Sequence, residues 1–344
     1  DGPQALREAV ARHVMEGRNQ YSPMTGLPSL RQQVAAKIAR SYGVQRDTDS
    51  EITITPGATE AIFCAVQALI HPGDEAIVLD PCYDSYEPSV ELAGGRCVHV
   101  PLALLDFAVD WQRLADAITP RTRLIFLNSP HNPSGALLTR ADLDKLAELI
   151  RGRDIHVISD EVYEHLIYDG ARHASVLAHD ELYQRAFVVS SFGKTYHVTG
   201  WKTGYVVAPP ALTAELRKIH QYVNFCGVTP LQFALADFMA ACPEHVEELP
   251  AFYQAKRDLF CDLLAGSRFT FTRAPGTYFQ LADYSAIRPD LDDVAMAEWL
   301  TREHGVAAIP VSVFYQSAPE DMRLVRFCFA KREETLRQAA EKLS

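Results

Sequence analysis

Lys194 is the residue of this sequence best placed to act as a nucleophile or base. It lies in the segment SSFGKTYHVTGWKTGY (190–205), directly after the apolar run Phe187–Ser190, which is typical of a buried strand. An amine at the end of such a strand is partly desolvated, and desolvation favours its neutral, nucleophilic form. Gly-Lys-Thr also ends the phosphate-binding motif G-x-x-x-x-G-K-[ST], but the first glycine of that motif would be Val188, which excludes it. The remaining alternative is an ordinary surface lysine.

Asp160 is a second candidate, because it ends the apolar run Ile155–Ser159 and begins the motif DEVY. A carboxylate in that position is costly to bury unless it is paired or hydrogen-bonded. A protonated pyridine nitrogen would be a suitable partner, and the ring would then act as an electron sink. Tyr163 could bring its phenol to the same ring. The ordinary alternatives are a helix cap for Asp160 and a half-buried core tyrosine for Tyr163.

Four further features have side chains or backbone groups suited to binding. Asn132 lies in SPHNPSG and could offer an amide, although Asn-Pro pairs usually form turns. Gly57-Ala58-Thr59 joins a strand to a helix and offers free N–H groups to an anion, although such turns are common. Tyr83 in DPCYDSY could stack on a flat ring or simply pack in the core. Arg326 in RLVRFCFA suits a substrate carboxylate or a structural salt bridge.

Short apolar runs alternate with amphipathic helical stretches through the first 240 residues, which predicts a mostly parallel sheet with helices on both faces. Helices are predicted at 59–70 and at 141–151, the latter with a capping box of Thr139 and Asp142. Ligands of such sheets bind beyond the carboxyl ends of the strands, where all the candidates above except Arg326 lie. The predicted strands are Ile52–Thr55, Ala76–Leu79, Arg96–Val100, Leu124–Leu127, Ile155–Ser159, Phe187–Ser190 and Tyr205–Ala208.

The pattern changes after about residue 240, where a mixed α+β segment follows. We therefore expect a large domain of residues 1–240 and a smaller C-terminal domain of residues 241–344. Its predicted helices are Glu244–Leu264 and Lys331–Leu343, and its predicted strands are Phe269–Thr272, Tyr278–Leu281, Val306–Ile309 and Leu324–Phe329.

Composition excludes several classes of protein. The net charge of −11 over 344 residues argues against a nucleic-acid-binding protein. No apolar stretch reaches the ~18–20 residues that a membrane-spanning helix needs. The seven cysteines form no CxxC pair, which indicates reduced residues of a cytoplasmic protein, and no metal site is predicted.

Taken together and in this order, the motifs resemble those of the fold-type I, class I/II aminotransferases, over essentially the whole chain. The strongest part of the resemblance is the pair DEVY (160–163) and SFGKTYHVTGWKTGY (191–205), with GATEA (57–61) and PHNPSG (130–135) before them. The resemblance implies the PLP-transferase fold and a pyridoxal 5′-phosphate (PLP) cofactor.

The family pattern implies a role for each residue near the ring of that cofactor. Lys194 would be the Schiff-base lysine and the acid–base catalyst. Asp160 would pair with the pyridine nitrogen, Tyr163 and Asn132 would bind the ring hydroxyl, and Tyr83 would stack on the ring. Asn132 and Tyr83 would also border the substrate.

The family pattern also implies contacts to the phosphate and the substrate. Ser191, Lys202 and the amides around Ala58-Thr59 would hold the phosphate, and Arg326 would bind the substrate carboxylate. Many members have arginine where Lys202 stands, so the charge is kept and the planar fork is lost. Tyr21, in QYSPMTGLPSLR, is similar to the tyrosine that reaches across a homodimer to the partner's phosphate.

Within the family, the motifs are most similar to the methionine and kynurenine/glutamine transaminase branch. This implies ping-pong transfer of an amino group from a neutral amino acid to a 2-oxo acid. The segment HQYVNFCGV (220–228) and Tyr83, Tyr278 and Phe314 would provide an aromatic lining without a second arginine. Three alternatives remain open: a β-lyase using the same site, the PLP-binding sensor domain of a transcription regulator, and a scaffold without cofactor.

The chain starts abruptly at Asp1-Gly-Pro-Gln, in which Pro3 suits the first turn of a helix. By resemblance to the family, we expect roughly 30–40 further N-terminal residues that cross the mouth of the active site. Such a segment would be mobile without substrate and ordered with it, because lids come from the least stable parts of a fold.

Overall fold

The centre of the molecule is a seven-stranded sheet, seen in the computed structural model, which describes residues 1–104 and 106–343. The strand order is β1-β7-β6-β5-β4-β2-β3, and only β7 runs antiparallel to its neighbours. The predicted mostly parallel sheet is therefore confirmed. Its strands are β1 (Ile52–Thr55), β2 (Glu75–Asp80), β3 (Arg96–Pro101), β4 (Thr122–Asn128), β5 (His156–Asp160), β6 (Ala186–Ser191) and β7 (Gly204–Val207).

Helices cover both faces of this sheet, because alternate strand residues enter two different cores. Ile125 and Val157 belong to the core on one face, whereas Phe126 and Ile158 belong to the core on the other. No helix among the described residues has the length and apolarity to cross a membrane. The helices of this part are α1 (Gln4–Met15), α2 (Pro28–Tyr42), α3 (Gly57–Leu69), α4 (Tyr86–Leu92), α5 (Trp111–Ala117), α6 (Arg140–Ile150), α7 (Asp180–Tyr183), α8 (Phe192–Thr195), α9 (Pro210–Val223) and α10 (Thr229–Ala241).

The start of α6 confirms the predicted capping box. The Thr139 hydroxyl accepts from the backbone N–H of Asp142, and the Asp142 carboxylate accepts from the backbone N–H of Thr139. Each side chain thus satisfies an N–H group that the first helical turn leaves without a partner.

A second, antiparallel sheet with the order β8-β10-β9 lies in the C-terminal part of the chain. It packs with α11, α13 and the segment after β5 around a separate apolar core. The domain boundary between residues 240 and 241 stays a prediction. The elements are α11 (His245–Leu264), β8 (Phe279–Asp283), α12 (Asp293–Trp299), β9 (Ile309–Pro310), β10 (Leu324–Cys328) and α13 (Glu333–Leu343).

Two of the predicted small strands are wrong or too long. The stretch 269–272 forms only an isolated bridge, at Thr270, because the buried side chain of Gln280 takes the place of a neighbouring strand. The Gln280 amide donates to the Thr272 carbonyl, and its oxygen accepts from the Ala274 N–H. The prediction Val306–Ile309 overlaps β9 at Ile309 alone, since only residues 309 and 310 pair with β10.

The topology brings four strand ends to one edge of the large sheet. In the register of the parallel strands, Asn128 at the end of β4 lies beside Asp160 at the end of β5, and β6 ends nearby at Ser191. Strand β1 leads into Gly57 at the same edge, because both β1 and β6 run antiparallel to β7. Loops at this edge therefore converge on one place, as expected for an α/β sheet.

Candidate active site

A cavity of about 450 Å³ lies at this edge, between the large sheet and the small one. Residues from the loops after β1, β2, β4, β5 and β6 line it together with residues of β8, β9 and β10. Of the predicted site residues it contains Gly57, Ala58, Thr59, Tyr83, Asn132, Asp160, Tyr163, Ser191, Lys194, Lys202 and Arg326.

Lys194 lies in the short helix α8, which follows β6 directly. Its half-buried amine donates a hydrogen bond to the Tyr278 hydroxyl at 3.0 Å. The nitrogen also lies 5.5 Å from the centre of the Tyr163 ring. The amine is thus held on the cavity wall by a hydrogen bond and by the ring of Tyr163.

Asp160 is buried, with 4% of its surface exposed. Tyr86 donates its hydroxyl to one carboxylate oxygen at 2.7 Å, and the backbone N–H of Val162 reaches the other at 3.3 Å. Burial raises the pKa of Asp160 to about 6, although these hydrogen bonds and the charge of Lys194 act in the opposite direction. A positive partner in the cavity would relieve this cost.

The start of α3 provides the anion-binding part of the cavity. Gly57 has a φ of +80°, so its backbone enters the helix in a conformation that a side chain disfavours. Lys202 lies against this turn, with its Nζ 3.6 Å from where a Cβ of Gly57 would be. Ser191 adds a hydroxyl. Free helix N–H groups, a cation and a hydroxyl together suit a phosphate group.

Arg326 projects from β10 into the same cavity. Its Nη1 donates to the side-chain oxygen of Asn132 at 2.5 Å, whereas its buried Nε has no hydrogen-bond partner within the described residues. Its guanidinium lies 3.9 Å from the ring centre of Phe279 and 4.9 Å from that of Phe314. Desolvation lowers the pKa of Arg326, so an anionic ligand here would gain a strong, desolvated partner.

The aromatic residues proposed for the substrate pocket separate into two groups. Tyr83 and Phe314 line the cavity, together with the apolar side chains of Ile309 and Val313. Tyr278 does not line it, because its hydroxyl faces Lys194 from an adjoining cavity of about 600 Å³.

Tyr21 lies outside the cavity of its own chain. It is 82% exposed, and its ring contacts Phe225 edge-on at 5.5 Å. Buried Gln232 fixes the loop that carries it, by donating to Ser22 and accepting from the N–H of Leu27. The structure therefore presents Tyr21 at the surface rather than to Lys194 of the same chain.

The sequence did not predict the contacts of three residues that hold functional groups of the site in place. Tyr86 holds Asp160, Tyr278 holds Lys194, and Asn128 fixes Asn132 by accepting from its backbone N–H at 2.8 Å. Asn128 could have been identified as a site residue from the sequence, because it directly follows the predicted strand Leu124–Leu127. The other two contacts join segments 74 and 84 residues apart, which no local pattern indicates.

The arrangement as a whole combines an amine, a buried carboxylate, an anion site and an arginine within one cavity. An amine can bond covalently to a carbonyl group and can accept a proton. The carboxylate and the anion site lie where a flat, phosphorylated, nitrogen-containing cofactor could be bound at both ends. The arginine lies where it could bind the carboxylate of a substrate.

Comparisons with known proteins agree with this geometry. The family model for aminotransferase class I and II matches residues 2–343. The chain is 53% identical to methionine aminotransferase of Escherichia coli, over the whole chain and 88% of that protein. It is 35% identical to kynurenine–oxoglutarate transaminase 3 of Rattus norvegicus, over 98% of the chain and 81% of that protein.

Solved structures confirm the predicted fold class. The crystal structure of Escherichia coli YbdL, for which a methionine aminotransferase function was identified, superposes with a TM-score of 0.97 at 53% identity, covering the whole chain and 90% of YbdL. The chain therefore belongs to the class I and II aminotransferases and is an enzyme that transfers amino groups.

Proposed function

We propose that this enzyme uses PLP, bound in the 450 Å³ cavity, to move an amino group from a neutral amino acid to a 2-oxo acid. The observation that carries the proposal is the meeting of Lys194, Asp160 and Arg326 in that one cavity. Each of these groups has a chemical counterpart in PLP or in an amino acid: a carbonyl carbon, a ring nitrogen and a carboxylate.

The residues present fit PLP on three observations. The carboxyl group of Asp160 is buried and has a raised pKa, so a protonated ring nitrogen would pair with it favourably. The start of α3, Ser191 and Lys202 suit the phosphate group. Tyr83 offers a ring for stacking, while Tyr163 offers a hydroxyl beside Lys194.

PLP supplies an electron-withdrawing ring that makes the Cα–H bond of an attached amino acid acidic. The protein's own groups supply the rest. With PLP bound, the amine of Lys194 would hold it covalently, and once the substrate's amino group has replaced this amine, it would accept the proton from the substrate Cα. Asp160 keeps the ring nitrogen protonated, and Arg326 with Asn132 fixes the orientation of the substrate.

The walls of the cavity favour a neutral amino donor, such as methionine or an aromatic amino acid. Arg326 would bind the α-carboxylate, and the lining of the cavity includes the apolar side chains of Phe314, Val313 and Ile309, with Asp84 as a further carboxylate. A second carboxylate on the substrate would lie against these apolar side chains and lose its hydration without a partner. The named activities of the Escherichia coli and Rattus norvegicus relatives support this choice.

We further propose a homodimer, in which Tyr21 approaches the phosphate of the partner's cofactor. Tyr21 contacts Phe225, which is 40% exposed, and the same segment between α9 and α10 has two more exposed apolar side chains, Tyr222 at 86% and Val228 at 60%. A surface of this kind marks an interaction site more often than free surface. All seven cysteines are free, which supports the cytoplasm as the location.

The proposal is tested with purified protein, methionine and a series of 2-oxo acids. Wild-type enzyme with PLP should form the keto acid of methionine, with a higher kcat/KM than for aspartate. Lys194→Ala should remain folded and bind PLP noncovalently but lose turnover by several orders of magnitude. Substantial turnover in Lys194→Ala without added amine would refute the role of Lys194, and a preference for aspartate would refute the proposed donor class.

A further inference from the structure

Tyr278 was predicted to line the substrate pocket, but it lies outside the 450 Å³ cavity and contacts the reactive amine instead. Its hydroxyl lies 3.0 Å from Nζ of Lys194. The Tyr278 ring also packs edge-on against Tyr163, with ring centres 5.2 Å apart. Burial, and then the nearby Tyr278 phenol, raise the pKa of the Tyr163 phenol. Two phenols from different parts of the chain therefore meet at one lysine.

The position of Tyr278 is fixed by the loop that follows β5 as well as by the small sheet. Thr277, which precedes it, is fully buried, has a φ of +62°, and donates its N–H to the carbonyl of Leu166. The hydroxyl of Tyr168 donates to the Thr277 carbonyl. The segment that carries Tyr278 is thus tied to the loop after β5, which also carries Tyr163.

The ring of Tyr278 is also restricted by its neighbours. It packs edge-on against Tyr163 at 5.2 Å and against Phe279 at 4.7 Å, and it lies 5.9 Å from Tyr253. Such packing leaves the phenol few alternative orientations. A lysine side chain, by contrast, has four rotatable bonds and loses entropy when it is held in one geometry.

We propose that Tyr278 is a positioning residue, whose hydroxyl holds the free amine of Lys194 beside the ring of Tyr163. This inference rests on the proposed function, in which the amine is free while it carries the substrate proton. Without this hydrogen bond the amine samples orientations that do not reach the substrate Cα. Loss of this hydrogen bond should slow proton transfer rather than weaken substrate binding, because Tyr278 is not among the residues that line the substrate cavity.

The test compares Tyr278→Phe with Tyr253→Phe. Both variants lose one phenol oxygen from the same aromatic cluster, but the Tyr253 hydroxyl bonds His197 and not Lys194. We expect Tyr278→Phe to lower kcat about tenfold, as expected for a lost hydrogen bond worth ~1.4 kcal/mol, with little change in KM. The isotope effect on kcat with Cα-deuterated methionine should rise, because proton transfer becomes slower.

A second measurement does not depend on turnover. When PLP is added to cofactor-free protein, the visible absorption band reports attack by the free amine, and this step should also slow severalfold in Tyr278→Phe. Tyr253→Phe should behave like wild type in all three measurements. Wild-type kcat, isotope effect and attachment rate in Tyr278→Phe, or equal losses in both variants, would overturn the inference alone. Absence of turnover in the wild-type enzyme would overturn the proposed function and this inference with it.

Discussion

Replacing Asp160 with asparagine should make the cofactor-free protein more stable above about pH 6, although the same change should cripple the enzyme. The folded protein raises the pKa of Asp160 from 3.8 to about 6, mainly because 96% of its surface is buried. The folded state therefore binds this proton more tightly than the unfolded chain does. Ionised Asp160 is a cost to the fold until a cationic ligand pairs with it.

The size and the sign of the effect follow from this shift. A raised pKa contributes stability that is full below about pH 4 and is lost as the pH rises through about 6. A shift of about two pKa units corresponds to ~3 kcal/mol at 1.36 kcal/mol per unit. Asparagine is neutral at every pH and can still accept from Tyr86, but its NH₂ group needs a new partner. We therefore expect a net gain of ~1–3 kcal/mol at pH 8.

The assay is urea denaturation of cofactor-free wild type and Asp160→Asn at pH 4 and pH 8. The variant should be more stable at pH 8, and the advantage should shrink at pH 4. Asp154→Asn, which changes a carboxylate with a 77% exposed side chain, is the control for a general charge effect. With PLP present, kcat of Asp160→Asn should fall by about 10²–10³. A variant that is no more stable than wild type at pH 8, or equally stabilised at both pH values, would refute the reasoning.

Three other changes test parts of the structure that support the site. Tyr86→Phe removes a donor from the buried carboxylate and should destabilise the cofactor-free protein by ~1–3 kcal/mol at pH 8, measured by urea denaturation, with a smaller loss at pH 4. Gly204→Ala should lower the free energy of unfolding by ~1–3 kcal/mol in the same assay and weaken PLP binding, because the new Cβ would lie 2.7 Å from a backbone oxygen of β6 and 2.9 Å from a backbone nitrogen of α3. Gly200→Ala is the control, since a Cβ at Gly200 would meet open space. Lys37→Met should lower the free energy of unfolding by ~3–5 kcal/mol, because it leaves the Glu164 carboxylate buried without its cation. A loss below ~1 kcal/mol would contradict the idea that Glu164 depends on this cation.

Local patterns in the sequence predicted the large sheet well, because both of its faces are buried. Each strand from β4 to β7 is a short run of apolar residues, and the predicted ends differ from the observed ones by at most two residues. Asp160 and Ser191 end strands β5 and β6, and Asn132 follows β4. The topology of a parallel sheet alone therefore predicted that these candidate residues lie close together. The small sheet was harder to predict, because a side chain such as Gln280 can replace a strand in satisfying backbone groups, and no periodicity signals that.

The charged groups of the cavity are kept apart rather than paired, and this explains why they can serve a ligand. Burial raises the pKa of Asp160 and lowers that of Arg326, so the charged form of each group is less stable in the folded protein than in water. A direct salt bridge between Asp160 and Arg326 would offset the desolvation of both groups, but neither would then be free to bind a ligand. Instead, Tyr86 donates a hydrogen bond to Asp160, and Asn132 accepts one from Arg326. A ligand that brings a cation to Asp160 offsets the cost of ionising this buried carboxylate, and a substrate carboxylate would do the same for Arg326. PLP, through its protonated ring nitrogen, should therefore stabilise the wild type more than it stabilises Asp160→Asn.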